Sequence, residues 1–233
     1  MRCGATVAVI IPARNEEPAI AKVIAAIPAW ADDIVVVDNG SADGTAAVAA
    51  AAGARVVREP CRGYGAACLT GVSALRDPDV VVFLDADNSD QPEEMAALAD
   101  PVIAGEADLV IGSRMRGKVE AGALTPFQQF GNRLACVLLR LIWRVPYTDL
   151  GPFRAIRHTT LRSLGMRDRG YGWTVEMQIR AAKLGCRVIE RPVRYRRRIG
   201  RSKISGTVRG TVGAGLKILW LIAWSSMQRR QGA

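Results

Sequence analysis

Between residues 7 and 111, short β-branched runs alternate with helix-length stretches, and few folds accept that rhythm. Residues 7–11 form a compact apolar run stopped by Pro12. Residues 17–29 carry Ile20, Val23, Ile24 and Ile27 at helical spacing. Further strands are expected at 34–37, 54–57, 80–84 and 109–111. Helices are expected at 45–52, 65–75 and 92–99 between them. Buried strands separated by helices of this length predict a mostly parallel sheet covered on both faces. Ligands of such sheets sit beyond the carboxyl ends of the strands, so residues just after each strand are the ones to inspect.

Beyond residue 112 the rhythm changes. Residues 125–144 predict one long helix. Phe127, Phe130, Leu134, Val137, Leu138 and Leu141 form an apolar stripe on it, and Arg133, Arg140 and Arg144 lie on another face. Such a helix either packs its stripe into the core or lies on a membrane surface. A helix at 176–184 and a strand at 187–193 follow. Residues 191–203 hold seven Lys or Arg, and an apolar tail from 207 to 227 sets Trp220 and Trp224 four residues apart. At 233 residues the chain suits one domain, residues 1–205, followed by an apolar C-terminal helix at 206–233 that could lie at an interface.

Charge divides the same way. Residues 1–110 hold 7 basic and 17 acidic side chains, whereas residues 111–233 hold 25 basic and 5 acidic. The first half suits a cation and the second an anion or anionic membrane. Nucleic acid is not expected, because only Tyr195 interleaves the basic run and no nucleic-acid-binding module is visible. Five cysteines without a C-x-x-C pair argue against a disulfide framework and fit a reducing cytoplasm. The first residues read as a strand rather than a signal peptide, and no stretch of about 18 uncharged apolar residues offers a membrane span.

The sharpest chemical motif is Asp85-Ala86-Asp87, directly after VVVFL. Alternate residues of an extended chain point the same way, so both carboxylates can face one site. Paired hard oxygens suit Mg²⁺ or Mn²⁺ with a phosphate substrate, while loop solvation or helix capping is the plainer alternative. An EF-hand fails, since Asp90 and Ala96 stand where Gly and Glu are needed. The segment from Asp38 to Thr45, DNGSADGT, makes a good strand-to-helix turn, yet capping does not require Asp38 at the strand tip. Its carboxylate can accept from a nucleobase or a ribose. PARNEE, residues 12–17, belongs to the same sheet edge. Gly63-Tyr64-Gly65 lacks the third glycine of a dinucleotide fingerprint, and Cys68 stands there instead. His158, the one histidine, is read as a surface residue, and no G-x-S-x-G elbow accompanies it. Cations, Gly200 and hydroxyls from Arg198 to Ser205 suit a diphosphate.

Taken in order, PARNE, DNGSADGT, RGYGAA, DADNSDQPE and GSR at 112–114 resemble family 2 glycosyltransferases of the GT-A fold. DLGPFRA from Asp149, then YGWTVEMQIRAAKLG and RRRIGRSKISGT, is similar to the dolichyl-phosphate mannose or glucose synthase branch. The resemblance spans about residues 6–210. It implies a nucleotide-sugar half at 1–115 and an acceptor half at 116–205. Pro12, Arg14 and Glu16 would line the nucleotide pocket and Asp38 would contact the base. Asp85 and Asp87 would serve a Mg²⁺ or Mn²⁺ ion on the diphosphate, Arg198 and Lys203 would close over it, and Arg114 would meet the sugar or acceptor phosphate. The implied activity is inverting hexosyl transfer from a GDP- or UDP-sugar to a polyprenyl or dolichyl phosphate, by an enzyme peripheral to the inner face of the cell membrane. A soluble hydroxyl acceptor would need a base, for which Asp149 and Glu176 are candidates. A non-catalytic nucleotide-sugar-binding protein is the remaining alternative.

Overall fold

A computed structural model describes residues 1–200 and 208–230. Among the described residues seven strands form one sheet: β1 (Val7–Ala13), β2 (Asp33–Asp38), β3 (Arg55–Arg58), β4 (Val80–Phe83), β5 (Leu109–Ser113), β6 (Arg154–Arg157) and β7 (Val188–Pro192). Their spatial order is β3-β2-β1-β4-β6-β5-β7. Only β6 runs antiparallel, pairing Phe83 with Arg154 on one side and Ile111 with Arg154 on the other. The expected strands are all present, and β6 is the one the sequence conceals. It is four residues long, opens and closes on arginine, and has no alternation to mark it.

Helices α1 (Glu17–Ala26), α2 (Thr45–Ala51) and α4 (Met95–Ile103) cover one face of the sheet, and a short 3-10 turn at Pro92–Glu94 precedes α4. The opposite face carries α3 (Tyr64–Ser73), α5 (Pro126–Trp143), α6 (His158–Leu164), α7 (Trp173–Lys183) and α8 (Val208–Arg230). Strand alternation divides the core: Val9 and Ile11 pack with Ile20 and Leu98, while Ile10, Val81 and Phe83 pack with Trp173 and Leu139. Helix α1 stops three residues short of the expected end, because Pro28 disfavours helical backbone at Ile27, which is extended at ψ 129°.

One expectation changes here and one open alternative is decided. His158 is buried, not superficial: it starts α6 with Nδ1 3.1 Å from Asp77. Of the apolar stripe on α5, Leu138 packs against the core and most of the rest does not. Ala135, Cys136, Leu139 and Trp143 enter it instead, and Phe127, Phe130, Val137 and Leu141 stand exposed. Helix α8 packs against α5 and α7, burying Ile222 and Ser225. Among the described residues, no helix is long and apolar enough to cross a membrane.

Candidate active site

The carboxyl ends of β1 and β4 and the loop after β5 converge on a cleft of about 400 Å³. Pro12, Arg14, Glu16, Asp85, Asp87, Arg114 and Arg198 line it, all expected from the sequence. Asp38 is not on the lining. It is buried at the tip of β2, where its carboxylate accepts from Ser41 N at 3.1 Å and shapes the turn. Lys203 lies outside the described residues.

The loops that follow β1 and β2 hold each other. Ala42 N donates to Asn15 Oδ1 (2.7 Å), Asn15 N to Ser41 Oγ (3.0 Å), and Glu16 N to Thr45 Oγ1 (2.8 Å). The DNGSADGT turn therefore fixes the backbone that presents Arg14 and Glu16. Asn39 ties in a third loop: its Nδ2 donates to the carbonyls of Glu59 and Cys61, and its Oδ1 accepts from Gly63 N. That loop supplies Arg62, Gly63 and Tyr64 to the cleft.

Opposite lies the acidic centre. Asp87 is buried, with Oδ1 taken by Ser89 N and Oγ and Oδ2 3.1 Å from Arg198. The same guanidinium reaches Glu16 at 3.3 Å. Burial raises the Asp85 pKa well above the usual carboxylate range, and the charges of Asp87 and Asp90 add to the effect. Burial likewise pushes Asp90 up to about 7, against the hydrogen bond it accepts from Asp85 N. Three acids thus crowd a site short of compensating charge, and Asp90 Oδ1, Arg14 Nε and Arg198 Nε have no hydrogen-bond partner among the described residues. A divalent cation with an anionic ligand fits this deficit. Among the described residues no three acids, histidines or cysteines are arranged to hold an ion alone, so water and phosphate oxygens would complete its shell.

Arg114 faces the cleft from the end of β5. Asp149 grips it three times: Arg114 N and Nε donate to Oδ2 (2.7 and 2.8 Å) and Nη2 to Oδ1 (2.6 Å). Burial works against the Arg114 charge, but the Asp149 carboxylate outweighs it and raises the pKa above its ordinary value. The guanidinium also lies over the Tyr195 ring at 5.1 Å. Asp149 itself is fully buried and does not line the cleft. Glu176 does not line it either. Its carboxylate accepts from Arg167 N, Asp168 N and Arg180 Nε, and so anchors residues 167–168 to α7.

Gly63 and Gly65 serve backbone packing. A Cβ on Gly65 would stand 2.0 Å from Asp168 O, and one on Gly63 2.1 Å from Arg169 O. Their absence lets the start of α3 press against residues 168–170, where Gly65 N and Ala66 N donate to Gly170 O and Arg169 O. Gly170 and Tyr171 then form another wall, with Tyr195 and Gln128 completing it. The sequence signalled none of these last four as lining. They come from loops and a helix start brought in by the second half of the fold.

Residues 8–167 match glycosyl transferase family 2. An uncharacterized glycosyltransferase of Mycobacterium bovis is 41% identical over 90% of this chain and 94% of its own. An undecaprenyl-phosphate mannosyltransferase of Micrococcus luteus is 32% identical over 96% of this chain and 98% of its own. Glucosyl-3-phosphoglycerate synthase of Mycobacterium tuberculosis, crystallised with Mn²⁺, UDP-glucose and phosphoglyceric acid, superposes with a TM-score of 0.78. It is 26% identical, with 97% of this chain and 81% of that one covered. With a cleft at the strand tips, an acidic D-x-D centre and these relatives along most of its length, the chain belongs to glycosyl transferase family 2 and has the GT-A fold.

Proposed function

We propose that this glycosyltransferase moves a hexose from a GDP- or UDP-sugar to a polyprenyl phosphate at the cytoplasmic face of a membrane, inverting the anomeric carbon. An oxygen of the acceptor phosphate attacks that carbon. The bond from the carbon to the nucleoside diphosphate breaks, and the diphosphate leaves with the electron pair. The acceptor is an anion at neutral pH and needs no base. That agrees with Asp149 and Glu176 both standing off the cleft with their oxygens engaged.

Pro12, Arg14 and Glu16 line the nucleoside end, with Asp38 supporting them from behind. Asp87, with Asp85 beside it, would hold Mg²⁺ or Mn²⁺, which when bound stabilises charge on the departing diphosphate. Arg198, joined by Lys203, brings further positive charge to the diphosphate, and Arg114 orients the acceptor phosphate or the sugar.

The observation that carries the lipid acceptor is the set of exposed apolar side chains on α5 and α8, two helices that pack on each other. Phe127, Phe130 and Leu141 project from α5, and Leu216, Trp220 and Trp224 from α8. The first turn of α5 also reaches the cleft through Gln128, so a chain lying along α5 would bring its phosphate to the mouth. A radiolabel assay tests this, with GDP-mannose or UDP-glucose, Mg²⁺ or Mn²⁺, and undecaprenyl phosphate in anionic vesicles. The expected result is label in the butanol-extractable lipid. Transfer to water-soluble acceptors alone would overturn it.

The likeness to glucosyl-3-phosphoglycerate synthase favours a second reading, a soluble hydroxyl acceptor. On that reading Glu176→Gln or Asp149→Asn removes a base: turnover collapses, donor binding persists, and the activity loses its basic limb in pH. On the lipid-phosphate reading Glu176→Gln leaves that limb unchanged.

A further inference from the structure

Between the end of α5 and the start of β6 the chain is neither helix nor strand, yet Asp149, Leu150 and Gly151 are buried there. Buried irregular backbone must still have its N–H and C=O groups satisfied. Side chains from four elements supply the partners. On β7, Glu190 Oε1 accepts from Thr148 N at 2.7 Å and Asp149 N at 3.3 Å. On α5, Asn132 Oδ1 accepts from Leu150 N at 2.9 Å, and Nδ2 donates to Thr148 O at 3.1 Å. Gln178 on α7 donates to Asp149 O, and Arg154 on β6 donates to the carbonyls of Leu150 and Gly151.

Glu190 and Asn132 thus bracket Asp149, the residue whose carboxylate grips Arg114. Glu190 also reaches the residue before Arg114. A carboxylate only accepts, so the Thr148 hydroxyl donates to Glu190 Oε2 at 2.6 Å. That leaves Ser113 Oγ as the donor to Thr148 Oγ1 at 2.7 Å. Neither Glu190 nor Asn132 lines the cleft.

We infer that Glu190 and Asn132 are positioning residues for transfer, acting through Asp149 to hold the Arg114 guanidinium at the cleft. The inference rests on the role proposed above for Arg114 toward the acceptor phosphate or the sugar. The chemistry of the pair selects the variants. Glu190→Gln can keep the arrangement: its Oε1 accepts from both backbone N–H groups and its Nε2 donates to Thr148 Oγ1, whose hydroxyl then turns to Ser113. Glu190→Met has a similar length and can do neither. Asn132→Leu removes the other clamp, from a different element, so loss of folding in one variant leaves the other to decide.

Two readouts are taken on the full chain. Hydrogen exchange at the Arg114 amide, which donates to Asp149 Oδ2 at 2.7 Å, reports the positioning itself, whichever acceptor the enzyme uses. Transfer to undecaprenyl phosphate in anionic vesicles, beside titration with UDP and GDP in the presence of Mn²⁺, reports the consequence. Glu190→Met and Asn132→Leu should each speed exchange about tenfold or more and lower kcat/KM for the acceptor about tenfold or more. The dissociation constant of the better-binding nucleotide should stay within about twofold. Glu190→Gln should recover most of both losses. Unchanged exchange in folded Glu190→Met and Asn132→Leu would overturn the positioning. Faster exchange with transfer intact would overturn the role of Arg114 on which the inference rests. Nucleotide affinity that falls in step with transfer would also overturn the inference, because the clamp would then support the whole cleft. Glu190→Gln as impaired as Glu190→Met would overturn the hydrogen-bonding role.

Discussion

Arg114 and Asp149 show how one buried pair can serve both stability and chemistry. Asp149 is fully buried, and the Arg114 side chain is 14% exposed. Asp149→Ala would strand a guanidinium in a poorly solvated place, a change that typically costs about 3–5 kcal/mol. Urea denaturation should show that loss. Transfer should fall roughly a hundredfold as the guanidinium shifts by an ångström or so. Arg114→Lys should rescue neither, because an ammonium cannot reproduce the two-pronged contact. Glu59 gives a prediction in pH. The Thr70 hydroxyl and then Cys61 N hold its carboxylate below the usual range, so the folded state favours the ionised form. The resulting stability is complete above the unfolded carboxylate pKa of about 4.3 and is lost as pH falls through the folded value. Melting temperatures from pH 7 down to 3 should fall less steeply for Glu59→Gln than for the parent chain. A parallel slope would show that Glu59 does not contribute. Both residues were partly hidden in the sequence: Asp149 was visible only as a possible base, and Glu59 gave no signal because its partners lie 2 and 11 residues away.

At the scale of elements, the strands of the first half were legible because each centres on a short apolar run bounded by turn residues, buried in β1, β4 and β5 and only partly so in the edge strand β3. Strand β6 and helix α6 were not. The strand RAIR buries Arg154 completely, an arrangement that hydrophobic pattern cannot announce. Burial pushes that guanidinium down to about 10, and its N–H groups go to the carbonyls of Thr174, Leu150 and Gly151. Helix α3 shows the same gap between pattern and purpose. Gly63 and Gly65 fail as a dinucleotide fingerprint, yet both allow close approach, because the backbone of residues 168–170 packs against them. Gly65→Ala should therefore push that loop away and drag Gly170 and Tyr171 out of the cleft. The expected result is a lower melting temperature together with a rise in the donor dissociation constant, measured by calorimetry. A drop in stability with donor affinity intact would show that the loop wall is dispensable.

Across the whole molecule, the second half of the chain supplies both the excess of basic residues and most of the exposed apolar side chains. Among the described residues, nine of the twelve large exposed apolar side chains belong to α5 and α8, which pack on each other, and 25 of the chain's 32 basic residues follow residue 110. A soluble surface of this kind is unfavourable unless something covers it. Both helices were visible in the sequence, but the orientation of α5 was not, because Ala135, Cys136 and Leu139 supply a second apolar strip that competes for the core. On the proposed lipid reading, the exposed apolar side chains insert shallowly while the arginines meet anionic headgroups. The two contributions separate with salt. The Debye length shrinks to about 10 Å at 0.1 M, so the electrostatic part should weaken steeply with ionic strength while the apolar part persists. Phe130→Ser/Leu141→Ser removes two side chains that are 65% and 73% exposed. Folding stability should change by no more than about 0.5 kcal/mol, as for other surface substitutions. Burial of such side chains stabilises by about 1.5–3 kcal/mol each when complete, so even partial insertion should cost roughly tenfold or more in partitioning. Sedimentation with phosphatidylglycerol vesicles in high salt isolates this apolar contribution. If the double variant partitions like the parent chain there, the exposed apolar side chains of α5 and α8 are not what hold the enzyme to a bilayer.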